Sequence, residues 1–198
     1  MTALASKVLI ELREHGLLLK QDKVLPNVVT LLTGESLTGS WWSHPCGREI
    51  FATLSQLAEH PDVLIVKLLR KKDTLVHRAL WPSFLTLIRA HESVLSRPLS
   101  GPARALLRRV QTASEPVAGS GTALKELTQR VLVYAREVHT CAGRHEMRVQ
   151  AWSSWQRRMA VRPLDSDEDA RRTLERACER IGAPLKDLPW NASRHTPP

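Results

Sequence analysis

Residues 40–82 read SWWSHPCGREIFATLSQLAEHPDVLIVKLLRKKDTLVHRALWP and contain the clearest strand signal of the chain. Two apolar runs, 63–69 and 74–80, flank the basic tetrapeptide RKKD at 70–73. Apolar runs joined by a short polar turn are typical of a β-hairpin. Pairing Leu69 with Thr74 would place on one face Leu64, Val66, Leu68, Leu75, His77 and Ala79. The sequence therefore predicts a hairpin at about 63–80 with a basic tip.

Three helical patterns precede this hairpin. The first covers residues 3–15, and the second follows Pro26, a residue suited to a first helical turn. The third follows Pro45, and its expected apolar stripe is Ile50, Phe51, Leu54, Leu57 and Ala58. Helix, helix, helix and ribbon is the order of a winged-helix domain. We therefore predict a winged-helix-like domain with one β-hairpin over residues 1–111.

The C-terminal half reads as helical. Residues 112–121, TASEPVAGSG, have the composition of a linker. From Thr122 an apolar pattern of helical spacing continues to Met159, and acidic residues at 165–169 mark the start of a last helix. We expect a helical region over 122–198 with a frayed C-terminal tail. The predicted fold class is α+β, predominantly α-helical.

The composition limits the cellular compartments in which the protein is expected. The chain has 198 residues, of which 42% are hydrophobic, and no apolar run approaches the ~20 residues that span a bilayer. The N-terminal segment carries charges inside its apolar run, which argues against a secretory peptide. Three widely spaced cysteines, without a CxxC pair, favour neither a disulfide framework nor a zinc site. We expect a cytoplasmic protein without a membrane partner.

The net charge of +9 is the strongest compositional signal. Residues 1–100 carry a net charge of +3 and residues 101–198 a net charge of +6, with arginine supplying 15 of the 17 basic residues in the second half. A basic excess favours polyanionic partners, and arginine suits bidentate contact with phosphate. Basic composition without a polyanionic partner, such as a GC-rich genome produces, stays open as an alternative.

These charges and two tryptophans give a candidate nucleic-acid surface. Phosphate contacts are expected from Arg70, Lys71, Lys72, Arg104, Arg108 and Arg109. Trp41 and Trp42 would stack on bases, with His44 beside them at a helix start where anions bind favourably. The alternative is that the tryptophans hold the loop to the core and His44 caps the helix. Glu49 and Glu59 on the exposed helix face argue against reading of a duplex groove.

Four histidines provide a competing hypothesis. His44, His77, His139 and His145 could serve as acid–base groups in a cleft between the two halves, as in a small metal-independent hydrolase or lyase. Each could equally be a structural histidine. Cys141 and His145 are i, i+4 neighbours on the predicted helix, but no second Cys/His pair accompanies them, so no metal site and no cofactor is predicted.

Three segments together resemble an uncharacterised bacterial protein family with SWWxHP and VHxxxG-type motifs. They are SWWSHP at 40–45, KLLRKKDTLVHRALWP at 67–82 and EVHTCAGRHE at 137–146. The resemblance covers residues 37–155 and brings no known activity with it. It adds weight to Trp41, Trp42, His44, His77, His139 and His145 as site residues.

No recognised catalytic motif is present, so the sequence names no reaction. The leading hypothesis is a basic nucleic-acid-binding protein, with DNA processing or repair as candidate roles. The histidine-dependent hydrolase or lyase is the first alternative, and a protein–protein interaction module with an exposed apolar patch is the second.

Overall fold

The computed structural model describes residues 1–97, 99–139 and 145–191, with residue 139 described through its backbone alone. The N-terminal unit contains α1 (Ala3–His15), β1 (Leu17–Leu19), α2 (Val28–Thr33), α3 (Gly47–Ala58), β2 (Val63–Leu69) and β3 (Lys72–His77). Then follow α4 (Trp81–Leu95), α5 (Gly101–Thr112), β4 (Val117–Ala118), α6 (Gly121–Gln129), β5 (Tyr134–His139), β6 (His145–Gln150), α7 (Trp152–Met159) and α8 (Asp167–Arg180). The predominantly helical α+β class is therefore confirmed.

Two three-stranded antiparallel sheets organise the described residues. Their strand orders are β1-β3-β2 and β4-β6-β5, so each sheet places the last strand of a hairpin beside a short earlier strand. In each sheet, the hairpin is preceded along the chain by a helix, the short edge strand and a second helix. The N-terminal unit has one additional helix before its hairpin. Inspection of the sequence shows no such repeat. The helix order before β2 and β3 is the one that prompted the winged-helix interpretation, which stays a prediction.

The first sheet lies between two hydrophobic cores. An N-terminal core joins α1, α2 and α3 to one face of the sheet, through residues such as Leu12, Leu18, Ile50 and Leu75. A central core covers the other face and runs through the C-terminal half. Alternation along β1 sends Leu18 to the N-terminal core while Leu17 and Leu19 join the central core. Because both faces are covered, β1 and β2 are almost wholly apolar, with Lys67 as the one charged residue in them.

An aromatic cluster in the central core ties the two halves together. Trp81 and Phe84 of α4 pack edge-to-face on Trp155 and Trp152 of α7, with ring centroids 5.1 Å apart in each pair. The indole N–H of Trp81 donates to the carbonyl of Val76, and that of Trp152 to the carbonyl of Val131. Both polar groups of these buried rings are therefore paired.

The register of the predicted hairpin was wrong. Leu69 pairs with Lys72, and Thr74 pairs with Val66, with an irregularity between the two pairs. The turn is therefore the dipeptide Arg70-Lys71, and the strand ends at His77, where a 3₁₀ turn over Arg78–Leu80 begins. The shift places Leu75 in the N-terminal core, opposite the face of Leu64, Val66 and Leu68. A one-residue slip is enough to change which face a strand residue occupies.

The continuous helix expected from Thr122 to Met159 was also wrong. It is divided into α6, the β5–β6 hairpin and α7. Val131 adopts a left-handed backbone with φ of 49°, which ends the helical path. The segment interpreted as a linker contributes β4, whose Val117 pairs with Val149 of β6. Phe51, expected inside, is 45% exposed, and Ala58 is exposed as well.

Two expectations fall outside the described residues. They concern Cys141 and the frayed tail beyond residue 191. Among the described helices, none has the length and apolar character needed to cross a membrane.

Gly16 and Gly34 offer a matched test of this packing. Both end a helix with a left-handed backbone, at φ of 82° and 79°. A Cβ at Gly16 would lie 2.9 Å from Leu80 Cδ1, whereas one at Gly34 would meet nothing within 4 Å. We expect Gly34→Ala to cost about 1–2 kcal/mol for the backbone conformation alone. Gly16→Ala should cost more, because Leu80 must also move. Urea unfolding of both variants measures the difference, and equal losses would contradict the packing described.

Candidate functional site

The tip of the first hairpin is a two-residue turn without glycine. Arg70 and Lys71 have φ of 52° and 58°, in the left-handed region that side chains disfavour. Such residues cost of order 1–3 kcal/mol each and persist where surrounding contacts hold them. The contacts that hold this turn are therefore of interest.

Two aspartates hold the turn. Asp187 accepts from the backbone N–H of Arg70 at 3.1 Å and from its guanidinium Nε at 2.5 Å. Asp22 accepts from Lys72 Nζ at 2.7 Å, and its carboxylate lies 3.8 Å from Arg70 Nη1. Arg70 and Lys72 are thus engaged in ion pairs, and their charges position the turn.

The Asp22 carboxylate is buried and ionised. Burial alone would raise its pKa, but hydrogen bonds from Lys72 and from the N–H groups of Val24 and Leu25 outweigh burial and lower the pKa to about 2. The side chain is only 2% exposed. A charged group in this position is stable because its donors replace the water that it loses.

A basic cleft of about 580 Å³ opens beside the turn, with α6 and residues 186–189 as its other walls. Its basic residues are Lys67, Arg70, Lys71, Lys125, Arg130 and Lys186, and its acidic residues are Glu126 and Asp187. Lys67 pairs with Asp73 at 2.8 Å, and Arg130 lies 3.8 Å from Glu126. The side chains of Lys71, Lys125 and Lys186 are exposed and make no ion pair or hydrogen bond with any described residue. Three uncompensated ammonium groups from three separate segments therefore converge on the cleft.

The cleft continues into an apolar cavity of about 330 Å³. Lys67 and Lys125 line both cavities. Beyond them the second cavity is walled by apolar residues of β2, α6 and the second sheet, among them Ile65, Leu124 and Met147. The groove thus lies between the two sheets and changes from basic to apolar along its length.

In the tryptophan pair, Trp41 packs in the N-terminal core, which covers the face of the first sheet opposite the central core. Trp41 is buried and Trp42 is 62% exposed, and their rings stack with centroids 4.1 Å apart. Lys20 Nζ lies 5.8 Å from the Trp41 ring and 3.8 Å from Asp73 Oδ2. Because Asp73 also pairs with Lys67, a chain of contacts joins the exposed indole to the basic cleft.

The histidines are held by separate neighbours. His44 Nδ1 accepts from the N–H of Cys46 and its Nε2 lies 3.0 Å from Glu35 Oε1, so the ring caps the turn before α3. His77 Nδ1 accepts from the N–H of Ala79, and burial lowers the pKa of His77. His145 Nδ1 lies 3.1 Å from Glu137 Oε1. His139 is the cross-strand partner of His145, and its side chain lies outside the described part of the structure.

The contacts given for His44, His77 and His145 lead to three different sets of neighbours, and none of these contacts joins two of the three histidines. The described residues also contain no group of three or more His, Cys, Asp or Glu placed to hold a metal ion.

The expected phosphate-binding residues are divided by the structure. Arg70 and Lys71 line the cleft, whereas Lys72 and the three α5 arginines do not. Arg104 and Arg109 donate to the carbonyls of Leu99 and Ala118, and Arg108 is exposed. Sequence reasoning missed four basic residues of the cleft, Lys67, Lys125, Arg130 and Lys186. One signal was available: Lys125 and Lys186 are the two lysines among the 17 basic residues of 101–198, and both line the cleft.

Comparisons with protein-family models, with curated proteins and with solved structures found no match to this chain.

Asp22→Asn tests whether the buried carboxylate stabilises the turn. The pKa of Asp22 is lowered by folding, so its contribution is present above the unfolded pKa, near 4, and is lost as the pH falls toward 2. We expect the variant to lose about 2 kcal/mol of unfolding free energy at pH 7 and to show a shallower decline between pH 4 and 2. Urea unfolding across this pH range measures both. Asp165→Asn, at an exposed position, is the control, and an acid profile identical to the wild type would contradict the assignment.

Proposed function

We propose that the protein binds nucleic acid, with the phosphate backbone lying along the basic cleft. The observation that carries this proposal is the convergence of Lys71, Lys125 and Lys186, each without a partner among the described residues. Phosphates neutralise such groups and release counterions, which supplies much of the affinity for nucleic acid. Lysine binds phosphate as a point charge, without sequence information.

The charges favour contact between the cleft and the phosphate backbone over readout of a duplex groove by α3. The exposed face of α3 carries Glu49 beside Arg48, and the exposed Glu59 follows the last residue of the helix. Carboxylates repel a phosphate backbone. The cleft lining has six basic residues against two acidic ones. We therefore expect binding with little sequence preference. The residues that support the proposal bind and stack, so it is a proposal of binding rather than of processing or repair chemistry.

Trp42 supplies the second support. Its ring is 62% exposed, with Trp41 stacked beneath it at 4.1 Å and Phe51 5.3 Å away. An indole fixed by a second indole is a rigid platform on which a base can stack. A row of side-chain contacts through Lys20 and Asp73 links it to the cleft, and one strand is proposed to follow this row.

A protein-interaction module is the second candidate, and the same aromatic pair favours it. Trp42 and Phe51 are exposed to 62% and 45%, and exposed aromatic pairs are typical of contact surfaces. The two candidates differ in what reaches Trp42. A nucleic acid that binds without changing Trp42 fluorescence would favour a protein partner at this pair.

Lys71→Gln and Lys125→Gln test the cleft. Each substitution should weaken binding of a mixed-sequence oligonucleotide several-fold at low salt and reduce the slope of log K against log salt by roughly 0.7–0.9, the value of one phosphate contact. Fluorescence anisotropy over a salt series measures both. Arg176→Gln removes the same charge from an exposed position outside the cleft and should leave the slope unchanged. Equal effects of all three substitutions would show that net charge, and not the cleft, drives binding.

Trp42→Ala tests the stacking platform. Among the six tryptophans, all in the described residues, the other five are at most 8% exposed, so a ligand quenches chiefly Trp42. We expect single-stranded oligonucleotides to quench the wild type. The variant should lose this quenching and bind roughly five-fold to a hundred-fold more weakly, as loss of one stacked base costs about 1–3 kcal/mol. Trp42→Phe should retain most of the affinity. Unchanged affinity in Trp42→Ala would remove stacking from the proposal.

A further inference from the structure

Two arginines face each other on the second sheet. Arg136 of β5 and Arg148 of β6 are direct cross-strand partners, and both side chains are 43% exposed. Side chains at such positions are about 4.5–5.5 Å apart at Cβ, and like charges placed there destabilise the pair. Neighbouring carboxylates, or an anion that binds between the two guanidinium groups, can offset this repulsion.

A cavity of about 320 Å³ lies where the two arginines meet. Arg158 of α7 and Glu115 also line it, so the lining carries three positive charges and one negative charge. The guanidinium of Arg148 donates to the carbonyl of Pro116 at 3.4 Å, which holds the group beside the cavity. Both Arg136 and Arg158 also lie near Tyr134: burial raises the pKa of this tyrosine, and the two arginines partly offset the rise.

Gln150 is the unusual member of the lining. The residue is 7% exposed overall, and its amide makes no hydrogen bond with any described residue. The amide is not among the fully buried polar groups that lack a partner, so it reaches solvent through the cavity. An amide in this position can donate its NH₂ hydrogens to a ligand oxygen.

Among the described residues, carboxylates near the cavity pair with two of its three arginines. Arg136 lies 3.7 Å from Glu59, a loose pair between two exposed side chains, and Arg148 lies 2.9 Å from Glu146. Arg158 forms no ion pair with any residue in the described ranges. Its charge is therefore available to a ligand, and the exposed Glu59 pair is weak enough to exchange.

We propose that this cavity binds a phosphate group, held by Arg136, Arg148 and Arg158 with the Gln150 amide as an additional donor. Guanidinium groups match phosphate oxygens in bidentate pairs, and an amide NH₂ satisfies a further oxygen. The volume, near the lower limit of small-molecule sites, fits a phosphomonoester with a small substituent. None of these residues lines the basic cleft, so phosphate binding here does not depend on nucleic-acid binding there.

Calorimetric titration with inorganic phosphate at low ionic strength tests the site. We expect saturable binding of one phosphate by the wild type and a loss of roughly ten-fold in affinity in Arg158→Gln, whose exposed position should leave folding intact. Gln150→Leu should also weaken binding, by a few-fold, because it removes the amide donor and keeps the side-chain volume. Circular dichroism checks the fold of both variants. Arg176→Gln is the control and should bind phosphate like the wild type.

Two further arms identify where the phosphate comes from. If an oligonucleotide with a 5′-phosphate binds more tightly than its 5′-hydroxyl twin, and Arg158→Gln abolishes the advantage, the ligand is a strand end. If a mononucleotide binds through Arg158 and the 5′-phosphate confers no advantage, the ligand is a free phosphomonoester. Both outcomes support the site.

Absence of phosphate binding by the wild type, or equal binding by Arg158→Gln, would overturn the site. Arg158→Gln should leave the binding of the 5′-hydroxyl oligonucleotide unchanged, because Arg158 does not line the basic cleft, so failure of the cleft and failure of this cavity are distinguishable.

Discussion

The cleft depends on one buried carboxylate. Asp22 accepts hydrogen bonds from two backbone N–H groups of its own loop and from Lys72, and it lies beside Arg70. Through these contacts the loop between β1 and α2 is joined to the turn of the first hairpin, and Asp187 joins the same turn to the C-terminal segment. A turn built from two side-chain-bearing residues in left-handed conformation needs such restraint. Arg70 and Lys72 are engaged in the ion pairs that restrain the turn, whereas Lys71 is exposed and lines the cleft.

The two sheets share one strand arrangement. In each, the second strand of a hairpin is central and a short strand occupies one edge. The first sheet is covered on both faces, and its exposed polar positions are few. One face of the second sheet presents Arg136 and Arg148 together with the nearly buried Gln150. These polar residues explain why the second sheet can line a polar cavity.

How much of this was predictable depends on the range of the interactions. The first hairpin and the cap of the last helix are encoded locally, by apolar runs and by Ser166 before an acidic turn. The hairpin register was not predictable, because Arg70-Lys71 lacks the residues that favour such a turn and is held by distant aspartates. The apolar residues within 131–138 are compatible with helical spacing as well as with strand alternation, and only pairing with β6 selects the strand. The lysines of the cleft come from segments far apart in sequence, so their convergence had no local signal beyond the scarcity of lysine in the second half.

The core shared by the two halves has a consequence for any molecule that enters the groove. The walls belong to both units, and Trp81, Phe84, Trp152 and Trp155 interlock behind them. Because this shared core fixes the walls relative to each other, the entropic cost of association falls mainly on the ligand. A preformed groove of this kind selects for partners that can adapt their own shape. Among anionic partners, flexible chains are therefore better suited to it than rigid ones.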